Sequence, residues 1–289
     1  MKEIKPAETH IVPHLKDSIR LSDYAKGIFE LIPTRKGMKK AIDKGYVFVN
    51  GEKSSTARYI STGDKIELML PETFKKGYER TIDVVYEDDD FAVVNKPAGL
   101  LSNGNSFKTL ENTLAFNLKK SKQKDALFYP QVAHRLDYPT SGLIIVSKTR
   151  AMNVALKQLF KTTLIKKTYH AITVGEMKIT SGKIDKEIDG KPSTSHFKVI
   201  TAVPSNKYQF INLVKLEPVT GRRHQLRIHL ASLGFPILGD RNYGSPEHWD
   251  MKRGLYLAAT SISFKHPFTQ EDMQFTIEIP KKFKKLIKV

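Results

Sequence analysis

The chain has 289 residues, with 48 Lys and Arg against 30 Asp and Glu, a net charge of +18. It contains no cysteine, which excludes disulfides and thiolate metal sites and suits a reducing compartment. No apolar run approaches the roughly 20 residues needed to cross a bilayer, and Met1-Lys2-Glu3-Ile4-Lys5-Pro6 lacks a signal-peptide core, so a soluble cytoplasmic chain without a membrane partner is expected. The positive excess fits a polyanionic partner held with strong salt dependence, although charge also serves solubility alone.

In chain order, residues 1–14 show no clear periodicity and read as an N-terminal extension. From Arg20, the residues Leu21, Tyr24, Ala25, Ile28 and Leu31 fall on one helical face, and Pro33 stops the pattern. Thr34 has the chemistry of an N-cap for a second helix running to about Lys44. Residues 46–49 read as a strand, Asn50-Gly51 as a tight turn, and residues 64–68 as a returning strand. On the second helix Lys36, Lys40 and Lys44 recur at four-residue steps flanked by Arg35 and Lys39, forming a basic stripe. Such a stripe is either a solvated face or a phosphate-binding one. Two helices, then Val49-Asn50-Gly51 and later Gly63-Asp64-Lys65-Ile66, resemble the small RNA-binding domain named after small-subunit ribosomal protein four (the S-four domain). The resemblance implies an RNA-binding domain over residues 15–70, with Arg35, Lys36, Lys39, Lys40 and Lys44 facing RNA.

Residues 71–81 carry Pro, Gly and charge without a period and read as a linker. From Ile82 the chain is strand-rich. Residues 83–86 and 91–94 flank the acidic run Glu87-Asp88-Asp89-Asp90, which reads as a hairpin turn in preference to a metal site. The basic stretch of residues 281–288 reads as a tail that either touches RNA or is simply solvated.

The most informative segment is His134-Arg135-Leu136-Asp137-Tyr138-Pro139-Thr140-Ser141-Gly142, followed by Leu143-Ile144-Ile145-Val146. It fixes a carboxylate where a turn enters a buried strand, with a cation two residues away. From the residues alone, Asp137 is either a nucleophile or a turn residue. Thr220-Gly221-Arg222-Arg223-His224-Gln225-Leu226-Arg227-Ile228-His229-Leu230 is the second signature. There Leu226, Leu230 and Leu233 have helical spacing, and Gly234 is a stop. Its two histidines are five apart on divergent faces, so no metal is expected. In Lys166-Lys167-Thr168-Tyr169-His170-Ala171, strand alternation puts Tyr169 and Ala171 on one face and His170 on the other.

The first of these segments matches the signature of the RluA-like family of RNA pseudouridine synthases: His-Arg-Leu-Asp, two variable residues, two Ser/Thr and Gly. Residues 95–101, 166–175, 220–230, 239–244 and 263–267 resemble its other motifs, with one departure. Ser102-Asn103-Gly104-Asn105 stands where many relatives carry a His-Pro pair. The resemblance implies an α+β fold, a mostly antiparallel mixed-sheet catalytic domain over residues 82–289 behind the small α/β RNA-binding domain. It implies isomerisation of uridine to pseudouridine without cofactor. It makes Asp137 the essential carboxylate, Tyr169 the ring beside the target base, and Arg227 the partner of Asp137. Arg135 would fill the space left by the extruded uridine, and Arg222 would contact RNA. Ribosomal RNA, most naturally of the large subunit, is favoured over transfer RNA. A non-catalytic assembly factor is the alternative, and a monomer is the simplest expectation.

Overall fold

The computed structural model describes residues 6–32, 34–69, 77–249 and 254–287. Pro33, the helix stop read from the sequence, and residues 71–76 of the expected linker lie outside them. The chain divides into two compact units, Met1–Lys76 and Gly77–Val289.

In the first unit a four-stranded antiparallel sheet runs in the order Glu8–Ile11, Lys65–Leu68, Val47–Val49, Glu52–Lys53. Asn50 and Gly51, at φ 54° and 83°, turn the chain between the last two strands. Both values are positive, which matches the right-handed twist of a two-residue hairpin. The helix Arg35–Asp43 is capped by the Thr34 hydroxyl, which accepts from the Gly37 amide at 3.1 Å. It buries Met38, Ala41 and Ile42 and leaves Lys36, Lys39 and Lys40 exposed. Lys44 is its C-cap residue.

Two expectations for this unit need correction. Residues 8–11 are no extension, because they pair along their whole length with Lys65–Leu68, and Glu8 accepts the amides of Glu30 and Leu31 at 2.8 and 2.6 Å. The first helix spans only Leu21–Tyr24. Beyond it the chain turns through Gly27 at φ +81°, and burial passes to Phe29 and Ile32 instead of Ile28 and Leu31.

The second unit is built on a ten-stranded sheet. Its path runs Ser181–Asp185, Thr194–Ser205, Gln209–Pro218, Lys166–Val174, Leu257–Lys265, Ser141–Thr149, Phe91–Lys96, Asp83–Glu87. Two further strands join it, Ala126–Val132 beside Ser141–Thr149 and Asp272–Thr276 beside Leu257–Lys265. Among the described strands of this sheet every pairing is antiparallel except that of Ser141 and Gly142 with Ala258 and Ala259. The expected α+β class with a mostly antiparallel mixed sheet is what the molecule has. The apolar run 143–146 is continuous because both faces of its strand are covered. Ile144 and Val146 enter one core with Leu110 and Leu114 of the helix Leu110–Asn117. Leu143 and Ile145 enter another with Met152 and Leu156 of the helix Arg150–Lys161. Burying each such side chain stabilises by about 1.5–3 kcal/mol.

The acidic run is a turn, in which Asp88 accepts the amides of Asp90 and Phe91 at 2.7 and 2.8 Å. Residues 77–81 pack into this unit instead of linking to it: Tyr78 donates its amide to the Asn112 carbonyl at 2.8 Å, and Asn117 donates to the Arg80 carbonyl at 2.8 Å. The basic C-terminal stretch is also no tail. Lys281–Ile287 is a helix that buries Phe283 and Ile287, with the Phe283 ring 5.4 Å from that of Tyr256.

Candidate active site

The loop carrying Asp137 is fastened on three sides. The Asp137 carbonyl accepts from the Thr140 amide at 3.0 Å, closing a turn with Tyr138 and Pro139 at its corner. Buried Ser102 accepts from the Leu136 amide at 3.0 Å and donates to the Leu136 carbonyl at 2.9 Å. Thus the residue that departs from the family pattern clamps the backbone next to Asp137. The Tyr138 carbonyl accepts from the Gly99 amide at 2.9 Å and from the Lys96 ammonium at 3.4 Å. Lys96 also caps the Leu100 and Pro97 carbonyls at 2.8 and 3.1 Å. Burial pulls its pKa down to about 8, against the opposing pull of Asp137.

Beyond the turn, Gly142 has φ +118°, and a Cβ there would meet the Ala259 carbonyl oxygen at 2.1 Å. Only glycine permits this approach, which carries the one parallel contact of the sheet and sets the Asp137 turn at the end of the Leu257–Lys265 strand.

A cavity of about 540 Å³ lies over this turn. Asp137, Tyr169, Arg227, Arg135 and Arg222 all line it, so the structure brings five sequence-derived site residues together. Arg35, Lys36, Lys39, Lys40 and Lys44 lie in the other unit, where Arg35 pairs with Asp23. Arg135 is exposed and has no hydrogen-bond or ion-pair partner among the described residues. Arg222 donates through Nε to the Pro192 carbonyl at 3.2 Å.

Arg227 sits in the helix Gln225–Ser232. Its chief partner is not Asp137. Nε and Nη2 donate to the two carboxylate oxygens of fully buried Asp240, each at 2.7 Å. Nη1 reaches Asp137 Oδ2 at 3.5 Å. Burial pushes the Asp240 pKa up, but the Arg227 hydrogen bonds and charge, with the amides of Asn242 and Tyr243, outweigh it and hold the carboxyl below its ordinary value. Burial likewise opposes the charge on Arg227, and Asp240 and then Asp137 overcome it.

The His224 ring faces the same carboxylate, its Nε2 at 3.8 Å from Asp137 Oδ1 and its Nδ1 at 2.9 Å from the Tyr243 hydroxyl. Its backbone at φ 54° starts the helix. Burial, then the charges of Arg227 and Arg223, lower its pKa despite Asp137 and Asp240. Tyr169 is pushed well above the usual tyrosine range, first by burial and then by Asp137. The ring therefore stays a phenol, able to stack or donate but not to serve as a phenolate base.

Sequence reasoning missed Asp240, His224, Tyr243 and Lys96. All four stand inside the segments 95–101, 220–230 and 239–244, which resemble the family's motifs. An acid in Gly239-Asp240 looks like an ordinary turn residue until its arginine partner is known.

A profile of the RNA pseudouridylate synthase family matches residues 90–232. An uncharacterised RNA pseudouridine synthase of Aquifex aeolicus is 33% identical over 279 residues, 87% of either chain. The chain belongs to the RluA-like family of RNA pseudouridine synthases. The synthase is also 31% identical to a ribosomal large subunit pseudouridine synthase C of Rickettsia felis, over 91% of this chain and 94% of that one. It is 36% identical to the dual-specificity RNA pseudouridine synthase RluA of Haemophilus influenzae, over 68% and 93%. Its fold resembles that of human RNA pseudouridylate synthase domain containing 1, with a TM-score of 0.58 at 24% identity over 71% of this chain and 86% of that chain. The enzyme is thus an isomerase that makes pseudouridine in RNA.

Proposed function

We propose that the synthase isomerises uridines of structured ribosomal RNA of the large subunit, with Asp137 as its essential carboxylate. The observation that carries the chemistry is the placing of Asp137 in one cavity with Tyr169, its carboxylate 3.5 Å from an Arg227 that Asp240 holds in place. The reaction breaks the bond from ribose to the uracil nitrogen, rotates the base, and rejoins it through a ring carbon. Asp137 assists the cleavage by taking the proton beside the anomeric carbon or by attacking covalently. Arg227 reaches one carboxylate oxygen and leaves the other facing the cavity and His224.

Extruding the uridine costs a few kcal/mol of stacking. Arg135, exposed and unpartnered among the described residues, is the side chain free to occupy the vacated space. Tyr169 offers the flipped uracil a stacking face. The exposed lysines of the helix Arg35–Asp43, with Lys44 after it, supply phosphate contacts in the first unit, which acts as an S-four-like RNA-binding domain.

Ribosomal RNA is favoured by which relatives extend over the first unit. The match to the large-subunit enzyme of Rickettsia felis takes in 91% of the chain, whereas that to the dual-specificity enzyme of Haemophilus influenzae takes in 68%. The test is to incubate the purified protein separately with unmodified large-subunit ribosomal RNA and with unmodified transfer RNA, then digest and quantify pseudouridine. Formation in the ribosomal transcript supports the reading. Formation in transfer RNA alone replaces the substrate.

A further inference from the structure

One corner of the cavity holds two hydrogen-bond donors for which the established chemistry has no use. Lys167 and Tyr169 are two apart on the strand Lys166–Val174 and so share its face, and both line the cavity. Lys167 is half-buried, and its ammonium has no carboxylate or hydrogen-bond partner among the described residues. Partial burial makes an ammonium without an anion costly. Burial accordingly lowers its pKa.

His134 lines the same cavity. The Ile145 amide donates to His134 Nε2 at 3.0 Å, so that nitrogen carries no proton and the neutral ring keeps its hydrogen on Nδ1. Burial, with the charge of Lys167 adding to it, pushes the His134 pKa down to about 3. The ring therefore stays neutral, with a fixed Nδ1–H that has no acceptor among the described residues. The Phe160 ring, centred 4.5 Å away, backs the imidazole. Asp137 is the one acid among the described residues that line the cavity, beside Arg135, Lys161, Lys167, Arg222 and Arg227. An anionic acceptor from outside the protein would satisfy both donors.

We propose that the Lys167 ammonium and the His134 Nδ1–H form a receptor for an RNA backbone phosphate next to the target uridine. The proposal rests on reading this cavity as the uridine site. It gives the histidine ahead of Asp137 a function: the amide bond from Ile145 sets the tautomer, and the tautomer aims a donor at the phosphate. It also fixes the ribose of the target nucleotide relative to Asp137, since a phosphate and its sugar are joined by a single ester link.

Binding of a short oligouridylate, measured against salt concentration, tests this without requiring turnover. Lys167→Met should lower the slope of log affinity against log salt by about 0.7, the contribution of one phosphate on a single strand. Lys167→Arg should restore the slope, which a merely structural role would not require. In the parent, labelled with nitrogen-15 histidine, saturating oligouridylate should shift the His134 Nδ1–H signal. This second readout stands if Lys167→Met fails to fold. An unchanged slope in folded Lys167→Met, or a His134 signal that does not move, overturns the proposal. Pseudouridine formation by the parent is scored separately, so failure of the uridine reading and failure of the phosphate receptor are told apart.

Discussion

Arg227 is clamped by Asp240 through two hydrogen bonds of 2.7 Å, and it touches Asp137 only at 3.5 Å. The pair Arg227–Asp240 is closed to solvent, while Asp137 keeps 25% of its side-chain surface. A guanidinium already satisfied elsewhere can orient Asp137 without being consumed by it. Asp137 thereby keeps Oδ1 clear of Arg227, with His224 Nε2 3.8 Å away.

Replacing Asp240 with Asn should therefore cost more than a surface change. It leaves the buried Arg227 charge without its chief counter-ion and with only the longer contact to Asp137, a loss of about 3–5 kcal/mol. It also frees Arg227 to move, so pseudouridine formation should fall with stability. The pH dependence has a definite sign. Asp240 has a lowered folded-state pKa, so its contribution is present above the ordinary carboxylate value of 3.8 and is lost as pH falls below it. Urea unfolding of parent and variant from neutral to acid pH checks this: the parent should lose stability more steeply than Asp240→Asn.

Gly142→Ala should disrupt the site from behind. Its Cβ would sit 2.1 Å from the Ala259 carbonyl oxygen, at a φ that L side chains rarely adopt. Strain and displacement of that strand together predict a loss of about 3 kcal/mol or more, measurable by denaturant unfolding.

Much of this site was legible because its residues stand in segments that resemble family motifs, and the fold lines one cavity with them. Asp137, Arg135, Tyr169 and Arg227 each stood in such a segment. The partner of Arg227 was not legible. Asp240 lies 13 residues further on in a turn, and only the folded chain shows which acid an arginine selects. The strand Glu8–Ile11 was hidden similarly, since its partner Lys65–Leu68 is remote and its half-buried positions are the polar Glu8 and His10 while Ile11 is exposed. At the C-terminus the charge of Lys281–Ile287 obscured the spacing of Phe283 and Ile287, four residues apart and both buried.

Tyr169→Phe should retain activity within about tenfold. Burial and Asp137 keep the hydroxyl protonated, so its removal takes away no base, and the stacking face remains. Tyr169→Ala should lose far more. Single-turnover rates of the two variants decide whether the ring or the hydroxyl matters.

Neutralising Lys36, Lys40 and Lys44 together should weaken RNA binding and flatten its salt dependence. Three phosphate contacts correspond to a slope change of about 2. The three side chains are exposed, so the fold should not suffer. An unchanged slope would remove this stripe from the RNA interface.

In the proposed mechanism Asp137 performs the isomerisation. The most direct test uses RNA whose uridines carry tritium at ring carbon five, incubated with the parent or with Asp137→Asn, and counts tritium released to water. The parent alone should release tritium, with pseudouridine in the digest, while both proteins bind the same RNA. Release by Asp137→Asn at the parent's rate would contradict this mechanism and move the essential carboxylate elsewhere.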